Sequence, residues 1–395
     1  MKILVVCQFY YPENFVITNI CEQLVKDGHD VTVLTGKPNY GYGYILPGYK
    51  DLKYEVINNV KIHRVNLIAR KHSRISIIKN YLSFWHNAKR FIRHYKEQFD
   101  IVYSMSLSPV TILAPGNLYK KKHGVKHIVH CVDLWPESVI VTHAVKKNSL
   151  IYRFLYLWSK SLYRKADHVL IGSPSYEEYF HNVLKLYPKM TFLPQPSLVD
   201  EVKDDPIEYD SEQFNLLYCG NIGLIQLIDL LPETLLRVPS LHLHIIGMGP
   251  KEKYLKEECE KLNIIDRITF YGPMPAKKAS RYFVNADALY VPLSNEGFVG
   301  KTIPNKLIMS MAFKKPIIAI LDGDGRKVLE KTKGGYFAEE NVDSLVSIIE
   351  KMMKLSKIER DELGNRNYQC YLDNFTTKKV TEKLEQILAD EISQE

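Results

Sequence analysis

The chain has 395 residues, of which 46% are hydrophobic and 25% charged, and its formal net charge is +8. This length suggests two or three domains, and the balanced composition excludes a disordered, collagen-like or coiled-coil protein. No apolar run reaches the roughly 20 residues that cross a bilayer, and the six cysteines are scattered singly, so we expect a cytoplasmic protein with reduced thiols. Residues 1–198 carry a net charge of +14 and residues 199–395 carry −6. An anionic partner is therefore expected at the first half.

The first half of the chain alternates apolar strands with amphipathic helices. The run KILVVCQF predicts a buried strand, a helix with apolar residues at helical spacing follows up to Gly28, and DVTVLTG predicts the second strand. Further strands are predicted at 100–106, 126–135 and 168–173. Alternation of this kind predicts a parallel sheet covered by helices.

One predicted helix, residues 75–98, is basic and aromatic. The window from Val56 to Lys96 contains ten Lys or Arg residues and no acidic residue. The main apolar stripe is expected to pack on the sheet, with these members: Ile78, Leu82, Trp85, Ala88, Ile92 and Tyr95. A second stripe with Phe84 and Phe91 is expected to stay exposed among basic side chains. This face predicts contact with an anionic membrane through Lys79, Phe84, Lys89, Arg90, Phe91 and Arg93. Nucleic acid is the alternative ligand for such a patch, but the acidic second half of the chain disfavours it, and no nucleic-acid partner is expected.

The second half repeats the strand and helix pattern. Residues 194–213 are rich in proline and acids and predict a linker. Five strand-and-turn units follow, and helical stretches are predicted at 342–355 and 376–391. The pattern predicts two doubly wound α/β domains, residues 1–198 and 199–375, with ligands bound in a cleft between them. Residues 376–395 are expected to form a helix that returns to the first domain.

Three predicted strands of the second domain end in glycine. The strand LLYCG leads into Gly220, Asn221, Ile222 and Gly223 ahead of a predicted helix, and two further strands end at Gly247–Gly249 and at Gly272. Glycine between a strand and a helix lets a ligand approach the backbone, where N–H groups favour an anion. Three such turns at one sheet edge indicate a nucleotide site, although each alone could be a plain tight turn.

The order of these motifs resembles that of retaining glycosyltransferases of the GT-B fold, family 4, and within them the WbuB-type subgroup that builds bacterial surface polysaccharides. The resemblance spans nearly the whole chain and rests on VVCQFYYPENF, GHDVTVLTGKPNY, HCVDLWPES, YCGNIG, HIIGMGP, ITFYGPMP, ADALYVPLS and TIPNKLIMSMAFKKPIIAI. It implies two Rossmann-like domains that face each other across a cleft.

The implied activity is that of a hexosyltransferase. It would transfer an N-acetylated or deoxy hexose from a UDP-sugar to a polyprenyl-pyrophosphate-linked saccharide, for capsule, O-antigen or exopolysaccharide. The resemblance implies a cytoplasmic enzyme, peripheral on the inner face of the cell membrane, with other polysaccharide-assembly transferases as possible partners. It implies no cofactor and no catalytic metal.

The resemblance also implies roles for particular residues. The loop from Gly220 to Gly223 would hold the donor pyrophosphate. The nucleobase pocket would be lined by Gly247, Gly249, Tyr271 and Gly272. The segment with Thr302, Pro304 and Asn305 would enter a helix that faces the donor phosphates. Asp133 would lie near the transferred sugar or the acceptor as a catalytic residue.

Two departures from the family pattern change these expectations. Many members carry an Arg after the first loop glycine and a Lys five residues later, where this chain has Asn221 and Gln226. Lys306 is the cation expected to meet the pyrophosphate instead, with Lys301 and Arg326 as alternatives.

The second departure concerns the paired glutamates of the wider family. The position of the second glutamate, which binds the donor ribose, holds Met309, and methionine cannot accept those hydrogen bonds. Glu296 matches the first half of the motif locally and is a candidate for contact with the donor sugar. Two alternatives to an active transferase therefore stay open: a non-catalytic scaffold or regulatory partner, and a UDP-sugar epimerase.

Overall fold

A computed structural model describes residues 1–71, 73–141, 145–147, 149–199 and 207–393. The chain divides into two compact units, one comprising Met1–Gln195 with Thr377–Glu395 and the other Pro196–Thr376. Residues 200–206 of the predicted linker lie outside the described residues. Each unit is an α/β domain built on a parallel sheet, which confirms the predicted class of both domains.

The first unit contains an eight-stranded sheet, counted over its described residues. Its strands are β1 (Lys2–Val6), β2 (Asp30–Gly36), β3 (Tyr54–Ile57), β4 (Val60–Val65), β5 (Ile101–Ser106), β6 (Lys126–Cys131), β7 (His168–Ile171) and β8 (Lys189–Phe192). Their order is β3-β4-β2-β1-β5-β6-β7-β8, and β3 alone pairs antiparallel, with β4. The central strands β1 and β5 are buried along nearly their whole length because helices cover both faces of such a sheet.

Six α-helices in the described part of this unit precede β8, and serines cap the N-termini of two of them. They are α1 (Val16–Lys26), α2 (Arg74–His94), α3 (Leu113–His123), α4 (Glu137–Val141), α5 (Leu150–Tyr163) and α6 (Tyr176–Glu178). Ser73 accepts from Ser76 N at 3.3 Å and so caps α2, and Ser149 caps α5 through Tyr152 N at 3.1 Å. Gly124, at φ 78°, ends α3.

The buried face of α2 matches the predicted one only in part, at Ala88 and Ile92. Its buried residues are Asn80, Phe84, Ala88 and Ile92, whereas Ile78 and Leu82 of the predicted core stripe are exposed. Asn80 explains this orientation, because its side chain accepts from Gln8 Nε2 at 2.7 Å and donates to Asn39 Oδ1 at 3.0 Å and Ile68 O at 2.6 Å. A buried amide with these partners turns the Asn80 face toward the sheet.

The membrane prediction for Phe84 is therefore wrong, since this side chain is fully buried. Phe91 is also not free in solvent. Its ring stacks on Tyr95 at 4.7 Å and contacts the His63 ring at 5.0 Å. The basic residues of α2 lie partly or fully in solvent, as predicted for Lys79, Lys89, Arg90 and Arg93.

The second unit contains a six-stranded sheet in its described part, in which each pair of neighbouring strands is parallel. Its strands are β9 (Phe214–Cys219), β10 (Leu241–Ile246), β11 (Ile268–Gly272), β12 (Ala288–Pro292), β13 (Ile317–Ile320) and β14 (Gly335–Phe337), in the order β11-β10-β9-β12-β13-β14. The helices are α7 (Leu231–Arg237), α8 (Glu252–Lys261), α9 (Ala276–Phe283), α10 (Asn305–Met311), α11 (Gly323–Thr332), α12 (Val342–Met353) and α13 (Lys357–Asn374).

The last helix, α14 (Thr377–Ser393), belongs to the first unit. It buries Val380, Leu384 and Leu388 and packs against α1. Near its end, Glu391 accepts a hydrogen bond from Lys189 at 2.5 Å and lies 2.9 Å from His168 Nδ1. Within the described part of the chain, the helices are too short or too polar to cross a bilayer.

Candidate functional site

The strand order of the second unit points to the carboxyl ends of β9 and β12. The chain winds from β9 outward to β11 in one direction and from β12 outward to β14 in the other. Ligands of open parallel sheets bind where the order reverses in this way. Gly220 follows β9 directly, and Ser294 N, after β12, donates to Ile225 O at 2.8 Å, so the two loops that flank the reversal are joined.

The three glycine turns form one connected backbone layer. Gly220 N donates to Ile246 O at 2.8 Å, Gly247 N to Gly272 O at 3.0 Å, and Ile222 N to Met248 O at 3.0 Å. Gly247 has φ +137°, and a Cβ there would overlap the carbonyl group of Gly220. A Cβ on Gly249 would similarly overlap the backbone of Ile222. The predicted convergence of these turns is therefore present, and glycine is needed for the approach of one loop to another.

The helix predicted directly after Gly223 is not there. Residues 224–227 form turns, a 3-10 turn covers Ile228–Leu230, and α7 begins only at Leu231. The hydrogen bond from Ser294 N holds the Ile225 carbonyl away from a helical path, and Leu227 adopts a left-handed φ of 47°. A helix N-terminus therefore does not stand behind the glycine loop. Because Gly220 N and Ile222 N are already bonded, the amides of Asn221 and Gly223 are the loop's candidates for an anion.

Lys306 lies beside this loop, where the sequence predicted the compensating cation. Its Nζ donates to the Tyr218 hydroxyl and lies 4.2 Å from the centre of the Tyr218 ring. Tyr218 in turn donates to Asn221 O at 2.5 Å. A Cβ on Gly220 would collide with Cε of Lys306. Burial lowers the pKa of Lys306 to about 7, which makes this amine able to change charge when an anion binds.

The segment from Thr302 to Asn305 leads into α10 as predicted, with Pro304 at the N-cap position. Thr302 Oγ1 donates to Val299 O at 2.9 Å and fixes the turn before the helix. The helix is only seven residues long. Met309 is 9% exposed and Ser310 4% exposed, so the residue at the glutamate position and its neighbour are both buried.

A cleft of about 390 Å³ lies at the ends of β12 and β13 and brings Glu296 and Arg326 together with Asp322 and Glu340. Glu296 is exposed at this cleft. Arg326 donates to Glu330 at 2.9 Å within α11 and covers the Phe337 ring at 4.7 Å. Its charge is therefore already paired, which leaves Lys306 as the better placed of the two for a diphosphate.

Lys301 and the Asp322–Asp324 segment, where α11 begins, also lie at this edge. Lys301 Nζ lies 5.4 Å from the Phe298 ring, and its backbone packs against Gly323, where a Cβ would collide with it. Asp322 precedes α11, and buried Asp324 pairs with Lys327 at 3.3 Å. Among the residues described, no cluster of three or more His, Cys, Asp or Glu side chains is arranged to hold a metal ion.

The side chain of Tyr271 is engaged inside the second unit. Its hydroxyl lies 2.9 Å from His244 Nδ1, and its ring lies 4.4 Å from that of Tyr282. Tyr209 stacks on the His244 ring, with the two ring centroids 4.0 Å apart. Tyr271 can therefore offer a nucleobase its backbone but not a free ring.

In the first unit, Asp133 follows β6 near the reversal between β1 and β5. Its Oδ2 accepts from Ser108 N at 3.1 Å, and Ser108 Oγ lies 2.9 Å from Ser138 Oγ. Burial raises the pKa of Asp133. The neighbouring His130 is a core residue, because it is fully buried between the Tyr103 hydroxyl at 2.8 Å and Leu193 O at 3.0 Å.

Two residues of the candidate site were missed by sequence reasoning. Tyr218 joins Lys306 to the glycine loop, but in the sequence it is one more apolar residue of a buried strand. Gln226 Oε1 is buried with no partner among the described residues, close to Gly223. Its position, where the resemblance implied a Lys, was a signal that this side chain lies near the loop.

Two family models match the chain. The model for the glycosyl transferase 4-like domain matches residues 14–195, and that for glycosyl transferases group 1 matches residues 218–369. The chain is 24% identical over 298 residues to the probable glycosyltransferase WbjE of Pseudomonas aeruginosa, covering 69% of this chain and 72% of that protein. A shorter match, 25% identity over 127 residues, links it to the putative colanic acid biosynthesis glycosyltransferase WcaL of Escherichia coli, covering 32% of this chain and 30% of that protein.

Solved structures agree on the fold. Sucrose-phosphate synthase from Thermosynechococcus elongatus superposes with a TM-score of 0.78 at 15% identity, over the whole of both chains. Anabaena HepE in complex with UDP and glucose gives 0.70 at 12% identity, covering 99% of this chain and 100% of HepE. The two parallel-sheet units define the GT-B class of fold. With both family models matched, the chain is a glycosyltransferase of that class.

Proposed function

We propose that the protein is a retaining transferase that moves a hexose, N-acetylated or deoxy, from a UDP-sugar to a lipid-linked saccharide. The observation that carries this proposal is the contact of Lys306 with Tyr218 and, through it, with the glycine loop. The presence of UDP and glucose in the HepE complex supports UDP as the nucleotide. The name of WcaL, which refers to colanic acid biosynthesis, supports a role in a bacterial surface polysaccharide such as capsule, O-antigen or exopolysaccharide.

The donor diphosphate would bind at the amides of Asn221 and Gly223 and at Lys306. A dianion in contact with Lys306 favours its protonated form, so binding would raise a pKa that burial has lowered. The nucleobase would lie along the backbone of Gly247, Gly249 and Gly272. Glu296, exposed at its cleft, would accept hydrogen bonds from hydroxyls of the donor sugar.

In the proposed step, the acceptor hydroxyl attacks the anomeric carbon from the side on which UDP leaves. The new oxygen–carbon bond forms as the bond to the diphosphate oxygen breaks, and that electron pair stays with UDP. The hydroxyl proton passes to an oxygen of the departing diphosphate. Lys306 and the loop amides stabilise the charge that develops there, in a scheme that uses no cofactor and no catalytic metal. Asp133 would orient the acceptor through its carboxylate.

The acceptor in this proposal is a saccharide on a polyprenyl pyrophosphate. Such a lipid would hold the protein at the inner face of the cell membrane as a peripheral, cytoplasmic protein, beside other transferases of the same assembly. The net charge of +14 on residues 1–198 supports an anionic partner there. Lys79, Lys89, Arg90 and Arg93 supply part of that charge.

A non-catalytic scaffold is the second candidate, because Met309 is buried at the position where relatives place the ribose-binding glutamate. A UDP-sugar epimerase is the third. The deciding experiment incubates the protein with UDP-glucose, UDP-N-acetylglucosamine and UDP-N-acetylgalactosamine, with and without a bacterial lipid extract. UDP release that requires the extract supports the transferase, and NMR of the product shows whether the anomeric configuration is retained. UDP binding without turnover indicates a scaffold, and a changed sugar without acceptor indicates an epimerase.

A further inference from the structure

Two helices of the first unit expose rows of large apolar side chains. The exposed members are Ile75, Ile78 and Leu82 on α2 and Leu150, Ile151, Phe154 and Leu157 on α5. Leu150 is 83% exposed and Phe154 62% exposed. Spacings of three and four residues place each row on one face of its helix. Isolated exposed aliphatic residues are common in proteins, but two such rows on helices that share a groove mark an interaction surface.

The two rows meet at a pair of tryptophans. Trp85, three residues after Leu82, contacts Trp158 edge to face, with the ring centroids 5.8 Å apart. Trp158 lies four residues after Phe154, and these two rings are 5.6 Å apart. The apolar side chains of α2 and α5 therefore form one continuous strip.

A basic groove of about 650 Å³ runs beside this strip. It is lined by both tryptophans and by Lys89, Lys120, Lys121 and Lys165. Lys89 Nζ lies 4.7 Å from the Trp85 ring, and Lys120 pairs with Asp167 at 2.7 Å. The sequences of α2 and α5 contain no acidic residue, so the apolar strip itself carries no carboxylate, and Asp167, which pairs with Lys120, lies outside both helices.

We propose that the apolar strip and the lysine groove form one docking face for an anionic lipid bilayer. The aliphatic side chains and Phe154 enter the acyl layer, Trp85 and Trp158 lie at the headgroup level, and the groove lysines bind lipid phosphates. Charge complementarity supports a bilayer, because a negative surface over an apolar layer matches cations that border an apolar strip. This inference rests on the proposed membrane location and names the surface responsible for it. That surface includes α5 and the lysine groove and does not include the buried Phe84.

The test is flotation of the full chain with vesicles of phosphatidylcholine alone and of phosphatidylcholine mixed with phosphatidylglycerol. We expect binding to the mixed vesicles, a blue shift of tryptophan fluorescence on binding, and little binding to phosphatidylcholine. The double variant Leu150→Glu with Phe154→Glu is expected to bind at least about tenfold more weakly, and Lys89→Ala with Lys121→Ala to lose much of the anionic preference. The control Ile358→Glu removes an equally exposed aliphatic residue of the second unit, 73% exposed, and should bind as the unchanged chain does.

Two readouts keep this test separate from the proposed function. UDP titration of each variant should be unchanged, so loss of lipid binding and loss of nucleotide binding are distinguishable. The proposal is overturned if mixed vesicles do not bind the chain, or if Ile358→Glu weakens binding as much as the α5 variant. Binding of RNA in place of vesicles, or a dimer that the α5 variant dissociates, would also overturn it.

Discussion

The amine of Lys306 lies 4.2 Å from the centre of the Tyr218 ring and donates to its hydroxyl. The hydroxyl donates onward to Asn221 O, so a cation, a phenol and the glycine loop form one connected unit at the end of β9. The phenol thus holds both the loop and the amine that would meet the same diphosphate.

Tyr218→Phe removes the hydroxyl that links Lys306 to the loop but keeps the ring. We expect the Kd for UDP to rise about five- to tenfold, which corresponds to roughly 1 kcal/mol for one hydrogen bond. Calorimetric titration measures this change. Tyr254→Phe is the matched control, because Tyr254 also lies under a lysine, Lys251 at 5.0 Å, but away from the loop. Equal effects of the two substitutions would show that the Tyr218 hydroxyl has no special role.

Binding of UDP should take up a proton above pH 7. The pKa of Lys306 is lowered to about 7 in the free protein, so the amine is increasingly neutral as the pH rises, while a bound diphosphate favours its charged form. The Kd is therefore expected to rise with pH, by up to about tenfold per unit above pH 7. Calorimetric titrations between pH 7 and 9, in buffers of different ionisation enthalpy, measure the number of protons that the complex takes up on binding UDP. Lys306→Arg stays charged and should show a flat profile; a flat profile for the unchanged chain would refute the mechanism.

Gly247→Ala should damage the second unit more than Gly272→Ala does. Both glycines have positive φ, at +137° and +68°, but a Cβ at Gly247 would overlap the Gly220 carbonyl while Gly272 has open space. The overlap is expected to cost about 1–3 kcal/mol more in the free energy of unfolding. Urea unfolding followed by circular dichroism measures both variants. If the two lose the same stability, the close approach of the two loops is not the reason for glycine at position 247.

Glu391→Gln should destabilise the first unit at neutral pH. Burial would raise the pKa of Glu391, but hydrogen bonds from Lys189 and His168 together hold it below its usual value. We expect a loss of about 1–3 kcal/mol in the free energy of unfolding at pH 7. Because the pKa is lower in the folded state, this contribution is present above the unfolded pKa, near 4.3, and is lost as the pH falls through the folded value. The difference between variant and unchanged chain should therefore shrink below pH 4.

Tryptophan fluorescence reports this unfolding directly, because the three tryptophans, at positions 85, 135 and 158, all lie in the first unit. Glu382→Gln is the control, since Glu382 is on the same helix but 43% exposed. A loss of stability as large for Glu382→Gln as for Glu391→Gln would contradict the role given to the buried contact.

The sequence predicted the central strands and the glycine turns because both depend on local pattern, but it did not predict β3, β4, β8 and β14, which lie at or next to the sheet edges. Buried parallel strands are apolar runs, and glycine marks the backbone approaches at Gly220 and Gly247. The burial of Asn80 and Phe84 on α2 could not be predicted, because Asn80 turns this face inward through bonds to Gln8, Asn39 and Ile68, which are distant in sequence. The delayed start of α7 depends on Ser294, contributed by a loop some 70 residues later. Lys306 was a candidate from its position alone, but its contact with Tyr218 required the fold.

The most direct test of the donor site is calorimetric titration of UDP, with GDP for comparison, into the unchanged chain and Lys306→Ala. Lys253→Ala is the control, because that lysine is 86% exposed on α8. We predict micromolar binding of UDP that Lys306→Ala weakens by about 1–3 kcal/mol and Lys253→Ala leaves unchanged. Absence of UDP binding, or equal binding by the Lys306→Ala variant, would contradict a donor diphosphate site at Lys306 and the glycine loop.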